Sequence, residues 1–283
     1  MPLRREPTAR QMRLAVELRR LREAAGLAAG EAAALLGVGH TQISHIESGL
    51  TGVSEARLRR LATNYACRDQ DLIDALAVMA TDRTRGWWEE YRGVLPTPFL
   101  DIAELEHHAT FRQDVEFLVV PGLLQTDDYA RAAFASRVPE LPREDLESRV
   151  QHRMRRKSVL EGDTPTSYEV VIHEAALRIR VGDRAISHAQ LARVLESSEA
   201  RNITVRVIPF DLDGFGATWS TVMLAGGAVP RLDTAVRDAP HGSVFVDSEA
   251  QLDVFRTLFR RMESASLDPE RSRDFIHRLT KEL

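Results

Sequence analysis

Lysine is almost missing from this chain. Lys157 and Lys281 are the two lysines among 38 basic residues, and the other 36 are arginine. The bias carries no functional reading by itself. Cysteine is scarcer still: Cys67 stands alone, which excludes an internal disulfide and a multi-cysteine zinc site and fits a reducing compartment. In LATNYACRD it falls on an apolar helical face, where a thiol reads as a buried structural group. No run of about 18 apolar residues exists, and the opening MPLRREPTARQ lacks the apolar stretch of a secretory signal. A cytoplasmic protein with no membrane partner is the expectation. Also missing are a Walker loop, GxSxG, HExxH and a complete dinucleotide fingerprint, so neither an enzyme nor a cofactor is expected.

What is present is enough chain for two domains: 283 residues, 43% of them apolar. We place one at 1–80 and the other at 87–283, joined by the polar TDRTRG. The net charge of −4 is unevenly spread: residues 1 to 68 hold 11 Arg against 6 Glu, a net of +5, which leaves −9 for the rest. A basic head on an acidic body suits a nucleic-acid-binding module carried by a regulatory domain, because phosphate contacts supply most of the affinity.

Helical punctuation fills the head. Thr8 is placed to cap a helix carrying Leu14, Leu18 and Leu21, and Gly26 ends it. Short helices follow at Gly30 to Leu36 and at His40 to Ser48, separated by a turn at Gly37. Ser54 and Asp69 can each cap one more, which makes five. Within this frame Ala33 is small where two helices cross, Gly37 suits a backbone of positive φ, and Ile43 and Ile46 fall one turn apart on an inward face.

From Leu21-Arg22 to Gly49 this stretch resembles the helix-turn-helix of the Cro/CI (xenobiotic-response-element, XRE) repressors. The resemblance implies an all-α five-helix N-terminal domain and a buried structural ion pair between Arg22 and Glu47. Removing one member of such a pair costs on the order of 3–5 kcal/mol. It also places base-reading residues at His40, Thr41, Gln42, Ser44 and His45 for double-stranded DNA. None of these is Arg, the best bidentate reader of guanine, so fewer strong base contacts are available. Arg13, Arg19, Arg20, Arg57, Arg59 and Arg60 are the candidates for phosphate contacts. The alternative is a helix-turn-helix kept only as a packing unit.

The body mixes both kinds of secondary structure. EFLVV (116–120), SYEVVIH (167–173), ITVRVI (203–208), WSTVMLA (219–225), LDTAV (232–236) and SVFV (243–246) read as strands. SYEVVIH, HAQLARVLESSEA and ITVRVI form a β-α-β unit with parallel strands, and the last three strands suit antiparallel hairpins. An α+β domain, a mixed sheet with helices, is the expectation. Trp87, Trp88 and Tyr91 cluster at its start as core anchors or a stacking site. REDLESRVQHRMRRKSVL is a strongly basic helix aligning Arg149, Arg153 and Arg156, read as a solvated face or a dock for an anionic or acidic partner. Glu104, His107 and His108 lack the further ligand pattern of a metal site, and His173-Glu174 reads as cap and turn chemistry at a strand end.

WWEEY (87–91), VVPGLLQTDDYARA (119–132), RVQHRMRR (149–156), HEAALRIRVGD (173–183) and NITVRVIPF (202–210) resemble the C-terminal domain of WhiJ-like, antitoxin-like regulators of high-GC bacteria. That resemblance implies transcriptional control, with a small partner protein encoded nearby. The expectation is a transcriptional regulator that reads an inverted-repeat operator as a homodimer, its body dimerising and sensing a ligand or partner. The rival is an antitoxin-like interaction module whose DNA binding is only autoregulatory.

Overall fold

The computed structural model describes residues 6–212, 221–239 and 242–283. They divide into two compact units, one holding the described residues up to Trp87 with Val229–Leu232, the other Trp88–Ala228 and Asp233–Leu283.

The first unit is helical. Thr8 caps α1 (Ala9–Ala24) through a reciprocal box: its hydroxyl accepts from Gln11 N at 3.3 Å, and Gln11 Oε1 accepts from Thr8 N at 3.1 Å. The helix α2 (Ala29–Leu36) ends at Gly37, whose φ of 73° is the left-handed conformation that releases the chain into α3 (His40–Glu47). Ser54 caps α4 (Glu55–Asn64) and Asp69 caps α5 (Gln70–Thr81). Leu18, Ala33, Ile43, Ile46, Leu58 and Leu72 form one core, and Cys67, Val229 and Leu232 pack against it half-buried.

Glu17 is fully buried in this unit, accepting from Arg13 and Arg20 at 2.6 Å each and from Arg231 at 2.9 Å. Burial raises its pKa, but the Arg13 charge and the Arg20 and Arg13 hydrogen bonds outweigh it and hold the carboxyl below its ordinary value.

The second unit is a six-stranded mixed sheet with helices. Its strands are β1 (Phe111–Glu116), β2 (Ser167–His173), β3 (Ile203–Ile208), β4 (Val222–Gly226), β5 (Thr234–Ala239) and β6 (Gly242–Val246), in the order β3-β2-β1-β4-β5-β6. The pairs β1–β2 and β2–β3 are parallel and the rest antiparallel. Parallel neighbours need long crossovers. The first is α7 (Asp127–Ala135) with α8 (Arg143–Arg156), the second α9 (Glu174–Arg178) with α10 (Arg184–Ser197). The helix α6 (Thr97–His108) precedes the sheet, and α11 (Glu249–Ala265) and α12 (Pro269–Glu282) follow it.

Strand alternation sorts the core. Tyr168, Val170 and Ile172 pack with Leu191 and Val194 of α10 and with Ile276 of α12, whereas Val171 packs with Phe259 and Met262 of α11.

The first strand differs from expectation. EFLVV is not a strand: β1 ends at Glu116, and Leu118 beyond it is 63% exposed. The true strand, FRQDVE, was hidden by charge, because its inward positions Arg112 and Asp114 are buried as ions. Arg112 donates from Nε and Nη2 to Asp114 at 2.8 and 2.7 Å and from Nη1 to Glu106, and Tyr168 donates to Asp114 at 2.6 Å. Arg156 closes the network on Glu106 at 2.7 and 2.5 Å. Two guanidiniums and two carboxylates sum to neutrality, which is how such charges tolerate burial. The last two strands begin two residues and one residue away from LDTAV and SVFV, and Trp219 and Ser220 of WSTVMLA lie outside the described residues.

Candidate nucleic-acid interface

The helix α3 is apolar on one side only. Ile43 and Ile46, 1% and 3% exposed, pin it to the core. His40 and Thr41 are exposed, and Gln42, Ser44 and His45 half-exposed, on its remaining surface. Those five residues are the candidates for base reading, and the fold brings them onto one short helix. Ser44 Oγ donates to His40 O at 3.3 Å, so its hydroxyl is partly engaged within the helix.

The start and end of α3 are both fixed by backbone chemistry. Its N-cap is Gly39, with no side-chain cap; Gln42 N donates to Gly39 O at 3.0 Å, which leaves the N–H groups of His40 and Thr41 for an outside acceptor. At its far end Gly49 has φ +70°, and a Cβ there would meet Pro7 Cβ at 3.1 Å and Met12 Sδ at 3.2 Å. Glycine is required there by both dihedral and space.

The Arg22–Glu47 pair ties α3 to α1. Arg22 donates from Nε to Oε1 at 2.7 Å and from Nη2 to Oε2 at 2.8 Å, and its Nη1 donates to Leu27 O at 2.7 Å. The Glu47 hydrogen bond, working against burial, raises the Arg22 pKa. Beside the pair, burial with the Glu47 charge pushes Tyr65 up to about 12.

The phosphate candidates separate by partner. Arg57 is half-exposed, and its guanidinium meets no hydrogen-bond or ion-pair partner among the described residues. Arg60 is exposed and touches Leu35 O at 3.0 Å. Arg19 is held by Glu23 at 2.7 Å and Arg59 by Glu55 and Asp74 at 2.9 and 2.7 Å, exposed pairs of little net strength that a phosphate can displace. Arg20 is half-exposed beside Glu17. Arg13 is different: 6% exposed and turned onto Glu17 and Arg231 O, it has no face for a phosphate.

In the second unit, the expected partner surface divides. Trp88 is buried against the His107 ring at 5.0 Å and Arg156 is inside the Glu106 network; Trp87, which belongs to the first unit, is half-buried. Arg149 and Arg153 remain half-exposed, their guanidiniums over Phe99 at 5.1 Å and Phe134 at 4.1 Å. His107 and His108 pack edge to face around Trp88. His173 Nδ1 accepts from Ala175 N at 3.2 Å as the cap of α9, and Glu174 accepts from Phe210 N at 2.7 Å. Sequence reasoning missed Phe99 and Phe134, which meet α8 only through chain folding; the basic run RVQHRMRR was the available signal.

Two families match the chain. The family described as "Helix-turn-helix domain" matches residues 13–76, and the one described as "Domain of unknown function (DUF5753)" matches residues 99–278. No curated protein and no solved structure matches. Among the described residues no helix is long and apolar enough to cross a membrane.

Proposed function

The chain belongs to the DUF5753 family and carries a helix-turn-helix domain, and from that premise we propose a transcriptional regulator that reads an inverted-repeat operator as a homodimer. The helix-turn-helix domain supports a DNA-binding regulator rather than an enzyme. The finer assignments are ours: a head of Cro/CI type, a WhiJ-like body that dimerises and senses a ligand or a small partner protein, and a cytoplasmic location. The observation that carries the reading is α3, pinned by Ile43, Ile46 and the Arg22–Glu47 pair with His40, Thr41, Gln42, Ser44 and His45 outward. A helix braced in this way enters a major groove without changing shape, and two-fold related copies demand half-sites about one helical turn apart.

Without arginine among the readers, discrimination rests on single hydrogen bonds from histidine and serine, a threonine methyl contact and one glutamine that can address adenine. Arg57, Arg60, Arg19 and Arg59 supply the charge on phosphates. The test is genome-wide binding of the natural protein beside His40→Ala/His45→Ala, at fixed salt and expression. Sharp peaks sharing an inverted repeat, lost in the variant, are expected. Peaks unchanged in the variant, or protection of a single half-site by a monomer, would refute it.

The cations that α8 leaves half-exposed favour a second reading, an antitoxin-like module that holds a small partner while its DNA binding only autoregulates. It predicts that partner binding fails on Arg153→Glu and survives His40→Ala/His45→Ala.

A further inference from the structure

The two edges of the sheet are finished differently. At β3 the chain covers its own edge: Leu267 N donates to Val207 O at 2.9 Å, and Val207 N donates to Ser272 Oγ at 3.0 Å. At the opposite end β6 closes the strand order, and among the described residues no strand lies beyond it. Val244, Phe245 and Val246 make no main-chain hydrogen bond outside the β5 ladder among those residues. A strand bonded on one side only turns half of its N–H and C=O groups outward, as a template for a further strand.

Nothing in β6 itself keeps such a strand away. GSVFV holds no lysine, no proline and no charged residue, and Val244 is 52% exposed. Both faces beside the edge continue its apolar character. On one face Phe245 packs, half-buried, with Ile102 and Leu105 of α6 on the cluster of Met223 and Val236. On the other Val246 packs, half-buried, with Phe255 of α11 on the cluster of Ala235 and Leu252. Two half-covered apolar margins therefore flank the open edge.

We propose that β6 pairs antiparallel with β6 of a second copy of this chain, in a register centred on Val244, so that two six-stranded sheets join into one. This rests on the homodimer of the proposed function and names its interface, and it does not depend on DNA binding by the head. The strand's own chemistry selects the occupant. With no charged side chain to choose a foreign segment, recognition is left to main-chain hydrogen bonds and apolar contact, and an identical strand supplies both through a two-fold axis normal to the sheet. That axis keeps both α6 helices on one face of the joined sheet and both α11 helices on the other. Each margin then turns toward its like, which adds the area that five paired residues alone do not supply. Arg237, exposed and opposite Val244 on β5, comes three strand spacings, about 14 Å, from its counterpart, beyond the Debye length at physiological salt.

Sedimentation equilibrium of the full chain measures the self-association. A dimer is expected, and Val244→Lys, which sets like charges opposite each other across the axis, should weaken it about tenfold or more with the circular dichroism unchanged. Val244→Cys should cross-link under mild oxidation, because antiparallel partners stand about 4.5–5.5 Å apart at Cα, inside the span of a disulfide. The natural protein, whose one thiol is the half-buried Cys67, should not cross-link, nor should Val138→Cys, at a position 95% exposed between α7 and α8. A natural chain that stays monomeric at about 0.1 mM overturns the proposal together with the homodimer, and leaves the edge to a strand of another protein. A dimer that Val244→Lys does not weaken, or that Val244→Cys does not cross-link, overturns the edge and leaves a homodimer built elsewhere. Should Val244→Lys fail to fold, the cross-linking of Val244→Cys decides.

Discussion

Arg22 shows how much one side chain fixes. Its fork closes on both oxygens of Glu47 and its third donor holds Leu27 O, so it sets the approach of α3 to α1 as well as neutralising a buried charge. Arg22→Ala leaves the Glu47 carboxylate enclosed, and we expect a loss of about 3–5 kcal/mol in urea unfolding of the head. Arg22→Lys should recover only part of this, because an ammonium cannot reproduce the fork. Replacing both partners by apolar residues should cost less than either single change, and a double variant worse than both would show that the pair is not the unit of stability.

At the scale of the element, α8 carries Arg149, His152, Arg153 and Arg156 along one side and gives them different partners. Arg156 enters the Glu106 network and His152 lies among the Tyr91 and Phe99 rings, while Arg149 and Arg153 stay half-exposed over Phe99 and Phe134. His152 is fully buried, and burial with the charges of Arg156, Arg153 and Arg155 pushes its pKa down to about 3. The unfolded chain takes up that proton near pH 6.5, so folding stability falls as the pH drops from about 6.5 toward 3, by up to about 1.4 kcal/mol per pH unit from this group. His152→Phe removes the group while keeping an aromatic side chain. Its urea midpoint should therefore fall less steeply than that of the natural protein between pH 6 and 4; parallel slopes would show that the imidazole is not held neutral. Carboxylates contribute to both proteins, and the difference isolates His152.

For the whole molecule, the proposed interface puts affinity and discrimination on separate residues. The proposed reading helix holds no arginine or lysine, so the salt dependence of DNA binding is expected from the arginines around it. Arg57, with no partner to release, is the cleanest case. Arg57→Ala should lower the slope of log K against log salt by about 0.9 for each phosphate that Arg57 neutralises, with the preferred sequence unchanged. A slope that does not move would place Arg57 away from the backbone.

Much of this was legible in the sequence. Thr8, Ser54 and Asp69 cap helices where local chemistry places a cap, Gly37 turns the chain, and SYEVVIH and ITVRVI are strands to the residue, because caps, turns and alternation act within a few positions. Long-range burial was not legible. FRQDVE carries charge at its inward positions Arg112 and Asp114, which only Glu106 and Arg156, brought from elsewhere in the chain, make tolerable inside, and EFLVV reads as a strand until its Leu118 is found in solvent. Arg13 and Arg19 look alike in sequence, yet Glu17 with Arg231 draws one inward and Glu23 leaves the other outside. Arg149 and Arg156 share a helix and a charge, and only the rings of Phe99 and the carboxylate of Glu106 decide which meets solvent. Sequence alone determined the local elements and the order of the two domains. Tertiary structure decided which charges are buried, because the energy of a buried ion depends on partners that the chain brings from far away.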